Sequence, residues 1–252
     1  MLSTEVFAPE PASRRRRLGA GSFASVDVVQ EGPAAYKTVH DASGADELLD
    51  EYSHLLRLHR TRKPDSFFAI PRPYGYCDPR ARSLLMEEPP YAGPSRRRQR
   101  PFLSLSAFDS LSFTTATYVM DRIYELPHAV GDPIREQFYN KDAQSASAPA
   151  LCRLYFGEVL DGPATRPGRF FNPANFPLDA ARYTALAGPL ALPPIEDVAA
   201  GMGEMLGHLH WQEVDGQDVE FVMGGDGFDG VRFFAIDFNQ ESELRLTRNF
   251  AY

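Results

Sequence analysis

Three short segments of this sequence hold residue types that can act together chemically. The first is Gly19-Ala20-Gly21-Ser22-Phe23-Ala24-Ser25-Val26, and eleven residues after Val26 the run Ala35-Tyr36-Lys37 ends on a cation. The third lies near the other end: Phe233-Phe234-Ala235-Ile236-Asp237-Phe238-Asn239, an apolar run that meets an acid. Gly19 and Gly21 lack a Cβ, so the backbone there can bend sharply and come close to a ligand. Backbone N–H groups in such a turn, with Ser22 among them, can point at phosphate oxygens. Phe23 at the tip would close over the site and exclude water, and Val26 would pack on a flat ring. Lys37 would supply a mobile point charge to the phosphates. An acid at a strand end, such as Asp237, suits a divalent cation that travels with them.

Those groups need elements to position them. A lysine aimed into a cleft needs an acidic partner, because an unpaired buried charge is costly. Residues 45–59 read as a helix, with Leu48, Leu49, Tyr52, Leu55 and Leu56 on one face at helical spacing. Glu51 lies at the edge of that face and Glu47 further round, so Glu51 is assigned as the partner of Lys37. Residues 18–40 read as strands of a hairpin sheet, with Glu31-Gly32-Pro33 as a turn. Phe67-Phe68-Ala69-Ile70 and Ser83-Leu84-Leu85-Met86 suit further strands, broken by Pro71 and Pro73. Residues 87–112, rich in Pro, Arg and Ser, read as an insertion. Thr117-Tyr118-Val119-Met120 reads as a strand that leads into a hinge at 121–127.

Beyond the hinge the chain reads as mostly helical and rich in proline. Its clearest helix runs from Ile195 to His210, started by Pro193-Pro194. Ile195, Val198, Met202, Met205, Leu206 and Leu209 make its apolar stripe, and the methionines there are core residues. Residues 219–223 and 231–236 read as two strands joined by Gly224-Gly225-Asp226-Gly227. No internal repeat is present.

Composition narrows the function classes. A net charge of −8 argues against general nucleic-acid binding. Two cysteines, Cys77 and Cys152, suggest a reducing compartment rather than a disulfide scaffold. Only His208 and His210 sit near each other, and that spacing points them apart on a helix, so no zinc site is expected. No apolar run approaches the roughly 20 residues of a membrane span, and the N-terminus lacks a secretory apolar core. The protein is expected inside the cell, in the cytoplasm or the nucleus. Arg14–Arg17 closes a loose basic tail over residues 1–17, and Arg96-Arg97-Arg98-Gln99-Arg100 is a second basic run. Either run suits a nuclear signal or a phosphate-attracting patch; a solvated loop is the preferred reading of both.

The order of glycine turn, strand lysine, helix glutamate and late strand-Asp-Phe resembles a protein kinase. The third glycine of the kinase loop is Ala24 here, and Asn239 replaces the glycine that follows Asp-Phe. More specifically, His210-Trp211, the segment 214–222 and Asp237-Phe238-Asn239-Gln240 resemble a fungal family known as domain of unknown function 3669. Tyr118 to Ile123 with Leu126-Pro127, and Asn172 to Leu178, resemble it too. Members are often labelled zinc finger proteins, a label this sequence does not support. The family continues past its Asp-Phe-Asn segment, whereas this sequence stops at Tyr252: either the second lobe is trimmed or the gene model is short.

The resemblance implies an α+β, protein-kinase-like two-lobe fold. The N-lobe would be an antiparallel sheet plus one helix over 18–123, and the C-lobe, over 124–252, mostly helical and incomplete. It implies ATP and magnesium as ligands, held by Gly19, Gly21, Ser22, Phe23, Val26, Lys37 and Glu51, with Asp218 and Asp237 on the metal. Asp218 takes the place of the metal-binding Asn, and the two acids would face each other across adjacent strands. Glu213 falls at the position of the catalytic base and Asp215 rivals it; a surface carboxylate is the preferred reading of Glu213. The chain is then either a nucleotide-binding phosphotransferase or pseudokinase of unknown substrate, or a non-catalytic scaffold built on a kinase-derived fold. Its partner would be a protein or small molecule besides the nucleotide, and not a membrane.

Overall fold

The computed structural model describes residues 15–29, 32–86, 103–139, 146–160 and 175–238. The basic run at 96–100, most of the 87–112 segment, Asn239 and the terminal residues 1–14 and 239–252 lie outside them. The architecture is α+β. The chain divides into two compact units, one made of residues 1–59 and 72–122 and the other of residues 60–71 and 123–252.

The first unit is built on a six-stranded antiparallel sheet in the order β1-β2-β3-β6-β4-β5. Its strands are β1 (Arg15–Ala20), β2 (Ala24–Val29), β3 (Ala34–Val39), β4 (Pro73–Asp78), β5 (Ser83–Met86) and β6 (Thr117–Asp121). Valine, threonine and tyrosine recur in β2, β3, β4 and β6, and such residues fit a pleated, half-buried surface. β1 takes in Arg15–Arg17, which the sequence reading left in the loose tail. Arg15 earns its strand position: its guanidinium lies 4.6 Å from the Phe113 ring centroid and donates to the Leu111 carbonyl.

Each face of this sheet is covered. Helix α1 (Ala45–Thr61) buries Leu48, Glu51, Tyr52, Leu55 and Leu58. The buried face is therefore turned slightly from the expected stripe: Glu51 and Leu58 are inside, while Leu49 and Leu56 are half-buried. On the opposite side Leu103, Phe108, Leu111 and Phe113 close over Ala34, Cys77 and Val119. Phe108 belongs to a short helix, α2 (Leu105–Ser110), capped by the Ser104 hydroxyl. In the expected 87–112 insertion, Leu103, Phe108 and Leu111 instead complete the core. Burial pushes the Cys77 thiol up to about 11.

The second unit corrects the expectation of a mostly helical region. It holds a four-stranded sheet in the order β10-β9-β7-β8, from β7 (Leu151–Tyr155), β8 (Asn175–Asp179), β9 (Glu220–Gly225) and β10 (Val231–Ile236). β7 and β8 are parallel and the other pairs antiparallel. Short five-residue strands with two apolar inward positions each, β8 interrupted by Pro177, leave a weak alternating signal. Helices α3 (His128–Phe138), α4 (Ala180–Ala187) and α5 (Ile195–Trp211) accompany the sheet. In α5 the buried residues are Val198, Gly201, Met205 and Leu209, while Ile195 and Met202 are half-buried and Leu206 is exposed.

Residues 67–70 also differ from expectation. They join the second unit, where Ala69 bridges Phe234 of β10 in parallel; its N–H donates to Phe233 O, and Ala235 N–H donates back to Ala69 O. Aromatic packing fixes this placement. Phe68 is fully buried with its ring centroid 4.7 Å from that of Phe221, and the Phe67 ring lies tilted 5.0 Å from Phe233. A Cβ on Gly201 would lie 2.7 Å from Phe67 Cβ, so α5 needs glycine at that crossing.

Asp179 ties β8 to α4. It is 3% exposed, and its carboxylate accepts from Arg182 N–H and Leu160 N–H, each at 2.8 Å. Burial alone would raise its pKa, but those hydrogen bonds and the nearby Arg182 charge outweigh it and hold the carboxyl below its ordinary value. A depressed folded pKa contributes stability above the unfolded value and loses it as pH falls through the folded one. Asp179→Ala should cost about 1–2 kcal/mol in urea unfolding at neutral pH. The gap to the parent protein should close as pH drops below about 4.

Candidate functional site

Cross-strand register gathers several of the sequence-chosen residues into one row. Gly19 pairs with Val26, Val26 with Lys37, Lys37 with Tyr118, and Tyr118 with Tyr76. Directly opposed residues of antiparallel strands project from the same face, so this row forms a strip on the face that α1 covers. Tyr52 of α1 lies 6.0 Å from the Tyr76 ring and 6.1 Å from the Tyr118 ring, which sets the helix over the strip.

Lys37 and Glu51 meet inside. Lys37 Nζ donates to Glu51 Oε1 at 2.6 Å, and the same oxygen accepts from the Tyr118 hydroxyl at 2.8 Å. The side chains are 11% and 2% exposed, so both charges have left bulk water. Tyr118 was not foreseen. Its signal was positional: β6 lies beside β3, and strand alternation puts Tyr118 on the lysine face.

The glycine turn is built differently from expectation. Gly21 N–H closes it on Ala24 O at 2.9 Å, without left-handed backbone at Gly19 or Gly21. Among the described residues, a Cβ on Gly19 would meet nothing within 4 Å, and one on Gly21 would make only ordinary contact with Ala24 O. Neither bend nor packing demands glycine there. Ser22 is exposed in the turn. Phe23 does not stand over the strip at the tip: its ring folds back so that a Cβ on Gly44 would lie 2.7 Å from Cε2. Covering an exposed ring against Gly44 removes apolar area from water. His40, also unforeseen, straps the turn to the end of β3, with its ring 3.0 Å from Gly21 O and its N–H bonded to Phe23 O.

The acidic candidates belong to the second unit. The β9–β10 ladder closes at Ile236 opposite Glu220, so Asp237 and Asp218 lie one and two residues past its end and are not opposed partners. Asp237 is half-buried and has φ 68, a left-handed conformation that ends β10. Non-glycine residues there are uncommon, and Asp is among those that tolerate it. Asp218 is exposed. Glu213 is exposed with φ 55, and the Asp215 carboxylate accepts from Gln217 N–H at 2.9 Å. Among the described residues no group of three or more His, Cys, Asp or Glu is gathered. Magnesium is usually held by one or two acids together with substrate phosphates and water.

No family model matches this chain, and no curated protein or solved structure matches it either. Among the described residues no helix is long and apolar enough to cross a membrane.

Removing Glu51 alone should leave Lys37 buried without its counter-charge. Glu51→Ala is expected to cost about 3–5 kcal/mol. The double variant Lys37→Met with Glu51→Leu should recover most of that loss, because an apolar pair of similar volume replaces two desolvated charges. Urea unfolding of the three proteins measures both effects.

Proposed function

We propose that this chain is a protein-kinase-like nucleotide-binding protein, akin to the fungal domain of unknown function 3669 family, that takes ATP with magnesium. The observation that carries the reading is the buried Lys37–Glu51 pair, in one row with Val26 and an open Gly19. A buried ion pair is poor value for stability alone. It does hold a lysine ammonium at a fixed place, where phosphate oxygens can share it.

The open space beside Gly19 supports the same reading. Glycine weakens a strand unless something must come close, and among the described residues nothing lies within 4 Å of where a Gly19 Cβ would be. Polyphosphate approaching the backbone gives it a use. The left-handed Asp237 supports a site as well, since sparsely populated backbone angles cluster where function holds them. In this proposal Asp237 and Asp218, both of the second unit, are the magnesium ligands.

Turnover has weaker support. Phosphoryl transfer rests on positioning and charge neutralisation, and a base must reach the attacking hydroxyl. Glu213 is exposed and Asp215 already caps a local turn. These two observations favour a degenerate phosphotransferase or pseudokinase, and they also favour the second reading, a non-catalytic scaffold.

Thermal unfolding with and without millimolar MgATP tests the proposal. A ligand that binds only the native state stabilises it by about 2.7 kcal/mol at 100 times its Kd, so the melting temperature should rise by several degrees. Gly19→Val should unfold within about 1–2 °C of the parent without ligand and lose the shift. Asp237→Ala should also lose it. No shift in the parent protein would reject nucleotide binding and leave the scaffold reading.

A further inference from the structure

One buried hydroxyl of the first unit has no role in the nucleotide reading so far. Tyr118 is 3% exposed, and its OH donates to Glu51 Oε1 at 2.8 Å, the oxygen that also accepts from Lys37 Nζ at 2.6 Å. Lys37 and Tyr118 are directly opposed on β3 and β6, so both donors rise from the sheet side by side. The carboxylate that joins them comes from α1. Val26 and Gly19 stand in the same row on the other side of Lys37. The shared oxygen is therefore held on the β6 side of the ammonium, away from the β1–β2 side. Packing does not demand the hydroxyl: the ring centroid lies 6.1 Å from that of Tyr52, a contact that phenylalanine would match.

We propose that Tyr118 is a positioning residue for nucleotide phosphate: its hydroxyl anchors Glu51 on the β6 side of Lys37, so that phosphate can share the ammonium. The inference rests on the nucleotide reading and adds to it the residue that governs access to Lys37. Two effects act in the same direction. A hydrogen bond to an ionised carboxylate stabilises its charge, and an oxygen that accepts from two donors holds each of them less tightly. The second effect is geometric. A lysine ammonium has three donors on one compact charge. The terminal torsion of a glutamate is soft, so a carboxylate without its anchor can turn to take more than one of them. Phosphate then competes with the carboxylate for Lys37. Tyr118 thus acts on phosphate through Glu51 and Lys37.

Titration calorimetry of the full chain with MgATP and, separately, with adenosine tests it. Tyr118→Phe removes the hydroxyl and keeps the ring against Tyr52. It should weaken MgATP binding by about tenfold and leave the affinity for adenosine, which has no phosphate, unchanged. Tyr118→Met takes its place should Tyr118→Phe fail to fold, and the same split between the two ligands is expected. An MgATP affinity unmoved by loss of the hydroxyl overturns the proposal and leaves nucleotide binding standing. An equal loss for both ligands also overturns it, because a residue that only packs would weaken both alike. A parent protein that binds neither ligand rejects the nucleotide reading and this inference with it.

Discussion

The buried ion pair of Lys37 and Glu51 sets the terms for the first unit. Two charges held away from water tolerate little freedom: each must keep its partner, and the remaining polar capacity must be met. That requirement fixes the register of β3 against α1 and assigns the Tyr118 hydroxyl to the same carboxylate oxygen. It also explains why α1 turns a glutamate inward among leucines. The apolar cover of the outer sheet face, through Phe108 and Phe113, then lets the sheet commit its other face to a polar strip.

The second unit rests on a different constraint, the packing of aromatic rings. Phe67, Phe68, Phe221 and Phe233 form a linked cluster, and it draws a segment from before β4 onto β10. Gly201 lets α5 cross that cluster closely.

Much of the first unit was legible in the sequence. Lys37 and Glu51 could be paired because a strand lysine and a helix acid on an otherwise apolar face both signal a buried charge. The strands at 83–86 and 117–121 and the long helices also follow from periodicity. Other features depend on distant partners. Nothing local marks Phe67 and Phe68 for β10, since a short apolar run suits a strand in either unit. Leu103, Phe108 and Leu111 fall in the expected 87–112 insertion because the proline- and arginine-rich stretch before them hides their core role. Phe23 looked like a loop tip because Gly44, which receives its ring, lies twenty-one residues on. The expected opposition of Asp218 and Asp237 failed by one residue of register, which strand alternation alone does not resolve.

The central claim is that the Lys37 ammonium is held where nucleotide phosphates reach it. An acyl-phosphate derivative of ATP tests this directly: a lysine amine beside the phosphates attacks the acyl carbon, the amide forms and ATP leaves. Peptide mass mapping after brief exposure should find the acyl group on Lys37, and excess MgATP should suppress it. Labelling spread over surface lysines such as Lys63, with Lys37 unmodified and no competition by MgATP, would contradict the account.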